Sequence, residues 1–101
     1  MKDTGGVFDR AAHRTMPKLS EFYGIQIFIY GREHGLPHFH AKYQGSEVVI
    51  AIGTLAVLEG SIPGRAFGLV MEWAALHNAE LSAAWAALQS GNVPAKIQPL
   101  K

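Results

Sequence analysis

Apolar and polar residues alternate in short runs between residues 25 and 59, which is the pattern of β-strands. Ile25, Ile27 and Ile29 are separated by Gln26 and Phe28, and this spacing predicts a first strand with an isoleucine face. We predict three further strands, over residues 38–43, 46–52 and 55–59. The segments that join the last three are short enough for two-residue turns, at Gln44-Gly45 and at Gly53-Thr54. The sequence therefore predicts a four-stranded antiparallel meander.

Two-residue turns would fix the register of this sheet. Tyr43 would face Ser46, so that Lys42 pairs with Glu47, His40 with Val49, Phe39 with Ile50 and Ile50 with Val57. Because side chains alternate between faces, we expect one face to form the core, with Phe39, Ala41, Val48, Ile50, Ile52, Leu55 and Val57. The opposite face would carry His38, His40, Lys42 and Glu47.

After residue 60 the hydrophobic spacing changes to three and four, the period of an α-helix. The apolar stripe consists of Phe67, Val70, Trp73, Ala74, His77, Leu81, Ala84, Trp85 and Leu88. Pro63 suits a first helical turn capped by Ser61 or Ile62, Asn78 predicts a kink or a restart, and Gly91 ends the helix. The predicted fold is α+β, a four-stranded meander packed against one broken or two consecutive C-terminal helices.

Residues 1–16 lack both periodicities and contain a Gly-Gly pair, so we expect a mobile N-terminal extension before a single α+β domain over residues 17–101. The composition is that of a globular protein, with 49% hydrophobic and 17% charged residues. A formal net charge of +1 argues against a strongly basic nucleic-acid binder but permits a local patch. Cysteine is absent and no apolar run is long enough to span a membrane, so we expect a cytoplasmic protein without a membrane partner.

Three of the five histidines fall within the seven residues from His34 to His40. In a strand, His38 and His40 would lie side by side on one face. Such a pair can bind a divalent transition metal such as zinc, nickel or iron, with His34 or His77 as a third ligand. It can also act as an acid and a base near neutral pH, or contact an anion. The residues alone do not choose between these interpretations.

The acid/base interpretation corresponds to a metal-independent ribonuclease. Such an enzyme needs a base for the ribose 2′-hydroxyl proton, an acid for the leaving oxygen and a cation for the phosphate. His34, His38, His40 and Arg32 are the candidate catalytic residues, and Lys42 is a further cation. If the helices cover the Phe39 face, His38 and His40 lie on the far side of the sheet from His77, unless a second subunit in a homodimer covers them.

Several segments together resemble the small prokaryotic proteins grouped as domain of unknown function 4160. They are Phe22-Tyr23-Gly24-Ile25, Pro37-His38-Phe39-His40-Ala41, Leu58-Glu59-Gly60, Glu72-Trp73-Ala74 and Leu76-His77, with Leu81 and Trp85. The resemblance covers about Met16 to Leu100. It marks as family positions His34, Pro37, His38, His40, Glu59, Trp73 and His77. The extension before Met16 and the alanine-rich second helix depart from the family pattern.

The family has no settled biochemical activity, so the resemblance implies a genetic arrangement rather than a reaction. Its members are often encoded beside a second small open reading frame, in arrangements that look like toxin–antitoxin pairs. The resemblance thus implies a component of such a two-gene module, acting through its histidine loop and strand on RNA or on a small partner protein encoded nearby.

Overall fold

The computed structural model describes residues 16–31 and 34–101. The expected extension, apart from Met16, and Arg32 therefore lie outside the described residues. Five strands are followed by two helices: β1 (Lys18–Phe22), β2 (Ile25–Phe28), β3 (His38–Tyr43), β4 (Ser46–Ala51), β5 (Val57–Ser61), α1 (Gly64–Leu76) and α2 (Asn78–Gln89). The predicted α+β class is confirmed, with five strands where the sequence indicated four.

The strands form one antiparallel sheet in the order β1-β2-β3-β4-β5, so that β3 is central. The predicted pairing of β3 with β4 is confirmed at every position from His38↔Ala51 to Tyr43↔Ser46. Gln44 and Gly45 both have positive φ, 48° and 85°, as a tight hairpin turn between twisted strands requires. The additional strand, β1, pairs with β2 across the Tyr23-Gly24 turn.

The connection between β4 and β5 is longer than the predicted two-residue turn. Leu55 has a φ of 63° and its N–H donates to the carbonyl of Ala51, so pairing resumes only at Val57. A bulge between Val49 and Ile50 then shifts the register by one residue. The predicted pairing of Ile50 with Val57 is confirmed, but β5 begins two residues later than predicted because Leu55 and Ala56 belong to the connection.

The core lies between one face of the sheet and the helices, as predicted. The rings of Phe39 and Trp73 meet at 6.1 Å, edge to face, and both side chains are fully buried. Other core side chains that the pattern identified are Ala41, Val48, Ile50, Ile52, Val70, Ala74, Leu81 and Ala84. The prediction was wrong for Val57, which pairs with Ile50 but remains 48% exposed, because it lies on an edge strand whose five residues are all exposed.

The break between the two helices lies where the sequence predicted it, but the capping residues differ from the predicted ones. Pro63 is the residue before α1 and makes no side-chain cap, while Ser61 is the last residue of β5. His77 separates the helices, and its N–H still donates to the carbonyl of Trp73. Asn78 is the first residue of α2 rather than its cap. Within the described segments, no helix is long and apolar enough to cross a membrane.

The segment after α2 closes the core along β1. The Ile97 N–H donates to the carbonyl of Leu19, and the buried indole of Trp73 donates through Nε1 to the carbonyl of Gln98, both at 2.8 Å. The Ile97 side chain is 4% exposed, so it belongs to the core. The C-terminal segment thus satisfies the one polar atom of Trp73, which would otherwise be buried without a partner.

Candidate functional site

His38 and His40 lie together on the face of the sheet opposite Phe39, as the strand alternation predicts. Their ring centroids are 5.4 Å apart, at an interplanar angle of 59°. Phe28 of β2 pairs with His40 on one side, and Val49 of β4 pairs with it on the other. His40 is therefore paired with a strand on both sides, whereas His38, the first residue of β3, pairs only with Ala51 of β4.

Glu47 and Tyr30 both contact the ring of His40. Its Nδ1 is 2.6 Å from Oε2 of Glu47, and the ring of Tyr30 stacks on its ring with centroids 4.1 Å apart and planes 19° from parallel. The His40 side chain is 9% exposed, whereas that of Glu47 is 40% exposed. The carboxylate and the phenol ring thus fix both the rotation and the tilt of this imidazole.

His38 is held differently and is more accessible. Its Nδ1 is 2.7 Å from the carbonyl oxygen of Leu36, and its ring lies 5.1 Å from that of Trp85 in α2. We expected both histidines to lie on the far side of the sheet from the helices, and for His38 this was wrong. The expectation treated the helices as one layer, but the chain breaks at His77 and α2 brings Trp85 to the first residue of β3.

The hydrogen bonds assign the same tautomer to both rings. A backbone carbonyl and a carboxylate oxygen accept hydrogen bonds, so Nδ1 must be the donor in His38 and in His40. In the neutral form of each ring the lone pair is then on Nε2. This arrangement is the one in which a second group orients an imidazole for proton transfer or for metal binding.

Lys42 does not make the contact that its register suggested. It pairs with Glu47 across the strands, but the Glu47 carboxylate binds His40 instead. The Lys42 ammonium lies over two aromatic rings of this face, 5.0 Å from the centroid of Phe28 and 5.8 Å from that of Tyr30. It is therefore placed as a cation above an aromatic surface, within the distance at which cation–π attraction acts.

The structure does not place the remaining predicted site residues beside His38 and His40. His34 is exposed in the connection between β2 and β3, and Arg32 lies outside the described residues. His77 contacts Trp73, with centroids 5.5 Å apart, and its Nδ1 is 2.6 Å from Oε1 of Glu80. Among the residues that the structure describes, no group of three or more His, Asp or Glu side chains could hold a metal ion.

Sequence reasoning missed Glu47 as a partner of His40, and it missed the contacts of Tyr30 and Trp85. Glu47 could have been found, because a residue diagonal to His40 across an antiparallel pair lies within reach of a long side chain. Tyr30 continues the alternation of Gln26 and Phe28, so it falls on the face of the sheet that carries His38 and His40 (the histidine face). The contact between Trp85 and His38 depends on the path of α2 and has no local signal.

The family described as Domain of unknown function (DUF4160) matches residues 24–86. The matched range includes the whole histidine face and both helices as far as Trp85. No curated protein and no solved structure matches the chain.

Proposed function

Since the chain belongs to the DUF4160 family, whose description names no activity, we propose from its site that it is the RNA-directed component of a toxin–antitoxin-like module. In this proposal His38 and His40 are an acid/base pair that cleaves RNA. The observation that carries the proposal is their shared orientation: each Nδ1 is bound to an oxygen acceptor, so Nε2 is the atom of each ring that takes or gives a proton. Two imidazoles oriented in this way, 5.4 Å apart, suit a proton transfer at each end of a phosphodiester.

The reaction balances without a co-reactant. His38 Nε2 takes the proton of a ribose 2′-hydroxyl, and the 2′-oxygen attacks the adjacent phosphorus. The bond from phosphorus to the 5′-oxygen breaks, and the imidazolium form of His40 gives its Nε2 proton to that oxygen. The products are a 2′,3′-cyclic phosphate and a 5′-hydroxyl. We assign the acid role to His40 because its Nδ1 faces a carboxylate, which makes a charge-assisted hydrogen bond with an imidazolium. Lys42 is the nearby cation for the phosphate.

RNA is favoured over a protein substrate by the other side chains of this face. Phe28 and Tyr30 present partly exposed aromatic rings beneath an ammonium group. Rings on a sheet surface that stack bases, combined with cations that contact phosphates, are the usual means of binding single-stranded RNA. Binding of a partner protein to this face, without RNA, is the alternative outcome of the tests below.

A cleavage assay with three matched variants tests the chemistry. Purified protein is incubated with short single-stranded RNA in the presence of a chelator, and 2′,3′-cyclic phosphate ends are measured. We expect His38→Asn and His40→Asn each to lower the rate by about 10²- to 10⁴-fold. His77→Asn is the control, because His77 also binds a carboxylate through Nδ1 but lies outside the cluster. Wild-type protein that leaves RNA intact, or equal losses in all three variants, would refute the proposal.

The module itself is tested by expression. Induction of this gene alone should arrest growth, and co-expression of the neighbouring small reading frame should relieve the arrest and give a complex that co-purifies. Normal growth on solo induction, together with no complex, would remove the module from the proposal. The His40→Asn variant separates the two claims, since it should abolish the arrest while it still forms the complex.

A second candidate function is metal binding, because the same tautomer is the one that ligating histidines adopt when a carbonyl or carboxylate holds the other nitrogen. Two nitrogens need at least one further ligand for a stable zinc, nickel or iron site, and among the described residues no third side chain is in place, so that ligand would have to come from outside this pair. This function predicts about stoichiometric metal in purified protein and its loss in His40→Ala. Protein that is isolated metal-free and takes up none in titration would eliminate it.

A further inference from the structure

Phe28 lies directly beside the histidine pair. It is the β2 residue that pairs with His40, and both side chains are on the same face of the sheet. Directly paired residues of antiparallel strands have Cβ atoms about 5 Å apart. A group placed on the Phe28 ring is therefore a direct neighbour of a group placed at His40.

Lys42 follows His40 on the same face and holds its ammonium 5.0 Å from the Phe28 centroid. Phe28 and Lys42 are each partly exposed, so neither belongs to the core. The described structure thus combines an accessible aromatic face, a cation above it and an oriented imidazole in the adjacent position.

We propose that Phe28 and Lys42 form a base-binding subsite for single-stranded RNA, in which an unpaired base stacks on the Phe28 ring and Lys42 moves to the phosphate beside it. This inference rests on the proposed function and names its substrate class. The ammonium and the base are alternative occupants of the same ring face, since both are attracted to its π-electrons. When a base displaces the ammonium group from the Phe28 ring, Lys42 can contact the negatively charged phosphate of the same nucleotide.

The subsite requires an unpaired base. In an A-form duplex the base faces are stacked on one another and the ring of Phe28 could not reach them. A flat ring with no hydrogen-bonding group stacks on all four bases, so we expect strong discrimination between single and double strands and weak discrimination between sequences. Selectivity for single strands therefore comes from stacking on the Phe28 ring and not from the histidines.

Binding is measured separately from cleavage with 2′-O-methyl RNA, which lacks the nucleophilic hydroxyl. Fluorescence anisotropy of a short labelled 2′-O-methyl strand gives Kd for wild type, Phe28→Leu, Phe28→Tyr and Lys42→Gln, and the same strand in a duplex is the competitor. Phe28→Leu keeps a large apolar side chain but loses the π-face, whereas Phe28→Tyr keeps that face. Lys101→Gln, at the exposed C-terminus, is the charge-matched control for Lys42→Gln.

We expect Phe28→Leu to raise Kd about fivefold or more, the low end of the effect of losing one stacked base, while Phe28→Tyr restores binding. Lys42→Gln should weaken binding and lower the salt dependence by about one phosphate contact, and Lys101→Gln should not. Equal Kd values for Phe28→Leu and Phe28→Tyr, or equal binding of duplex and single strand, would overturn the subsite. Protein that binds the methylated strand as expected but leaves unmodified RNA intact would refute the cleavage proposal and leave the subsite standing.

Discussion

The imidazole of His38 in β3 packs against the indole of Trp85 in α2, with ring centroids 5.1 Å apart. This contact joins the second helix to the histidine face, although Trp73, in the first helix, lies on the other side of the same strand against Phe39. Trp85 and Trp73 thus contact two neighbouring residues of β3, His38 and Phe39, whose side chains lie on opposite faces of the strand. A change in the position of α2 would be transmitted to His38 without passing through the sheet.

Ile50→Ala should lower the free energy of unfolding by about 2 to 5 kcal/mol, because it leaves a cavity in the fully buried core. Val57→Ala is the matched control: Val57 pairs with Ile50 but is 48% exposed, so its truncation should cost less than about 1 kcal/mol. Denaturant unfolding monitored by tryptophan fluorescence measures both. Equal losses would contradict the burial of Ile50 and the exposure of Val57.

Glu47→Gln should slow RNA cleavage about 10- to 100-fold while leaving the Kd for 2′-O-methyl RNA within about twofold of wild type, as expected for a residue that acts by orienting a histidine. The amide keeps the size of the side chain but loses the charge that faces His40. Glu80→Gln, which removes the equivalent partner of His77, should leave the cleavage rate unchanged.

Gly60→Ala should destabilise the protein more than Gly53→Ala. Both glycines have positive φ, 76° and 99°, so alanine is strained at either position. A Cβ at Gly60 would also lie 2.2 Å from the backbone oxygen of Glu47, whereas nothing lies within 4 Å of one at Gly53. The difference in unfolding free energy between the two variants measures the clash between β5 and β4. Gly60→Ala should also slow RNA cleavage, because Glu47 must move to relieve that clash. Equal stability of the two variants would contradict this close approach.

Ile97→Ala should cost about 2 to 5 kcal/mol, although the residue lies in a segment without regular secondary structure. Its side chain is part of the core and its N–H is bound to Leu19. The fluorescence of Trp73 should report the loosening, because the indole donates to the carbonyl of the next residue, Gln98. Val93→Ala, at a position 88% exposed, should change neither stability nor fluorescence.

The pKa of Glu21 is lowered from its ordinary value of 4.5, chiefly by a hydrogen bond and charge attraction from Lys18, 2.6 Å away. The folded-state pKa lies below the unfolded one, so the pair stabilises the protein above pH 4.5 and the effect is lost as the pH falls through the folded value. An NMR titration of the Glu21 carboxyl should show this depressed midpoint. Lys18→Gln should return it toward 4.5, and salt should weaken the effect because the pair is exposed.

Local sequence patterns were sufficient to predict the central strands and the helices. They were not sufficient for the two edge strands, β1 and β5. The period of two placed His38 and His40 on one face, and the Gln44-Gly45 turn fixed the pairing of β3 with β4. A bulge and the left-handed Leu55 shifted β5, because such irregularities depend on how the edge strand meets its neighbour rather than on apolar spacing. β1 was missed as a strand because its apolar residues, Leu19 and Phe22, are three positions apart and a bulge at its start breaks the alternation of two.

The sequence by itself determined which side chains share a face, since alternation and helical period follow from backbone geometry alone. It thereby placed the two imidazoles together and assigned the Phe39 face to the core. Only the tertiary structure decided what holds them: Glu47 on His40, Tyr30 stacked above it, and Trp85 against His38. These contacts depend on the rotamers of long side chains and on the path of a helix after a break, and both are set by packing against residues distant in the chain.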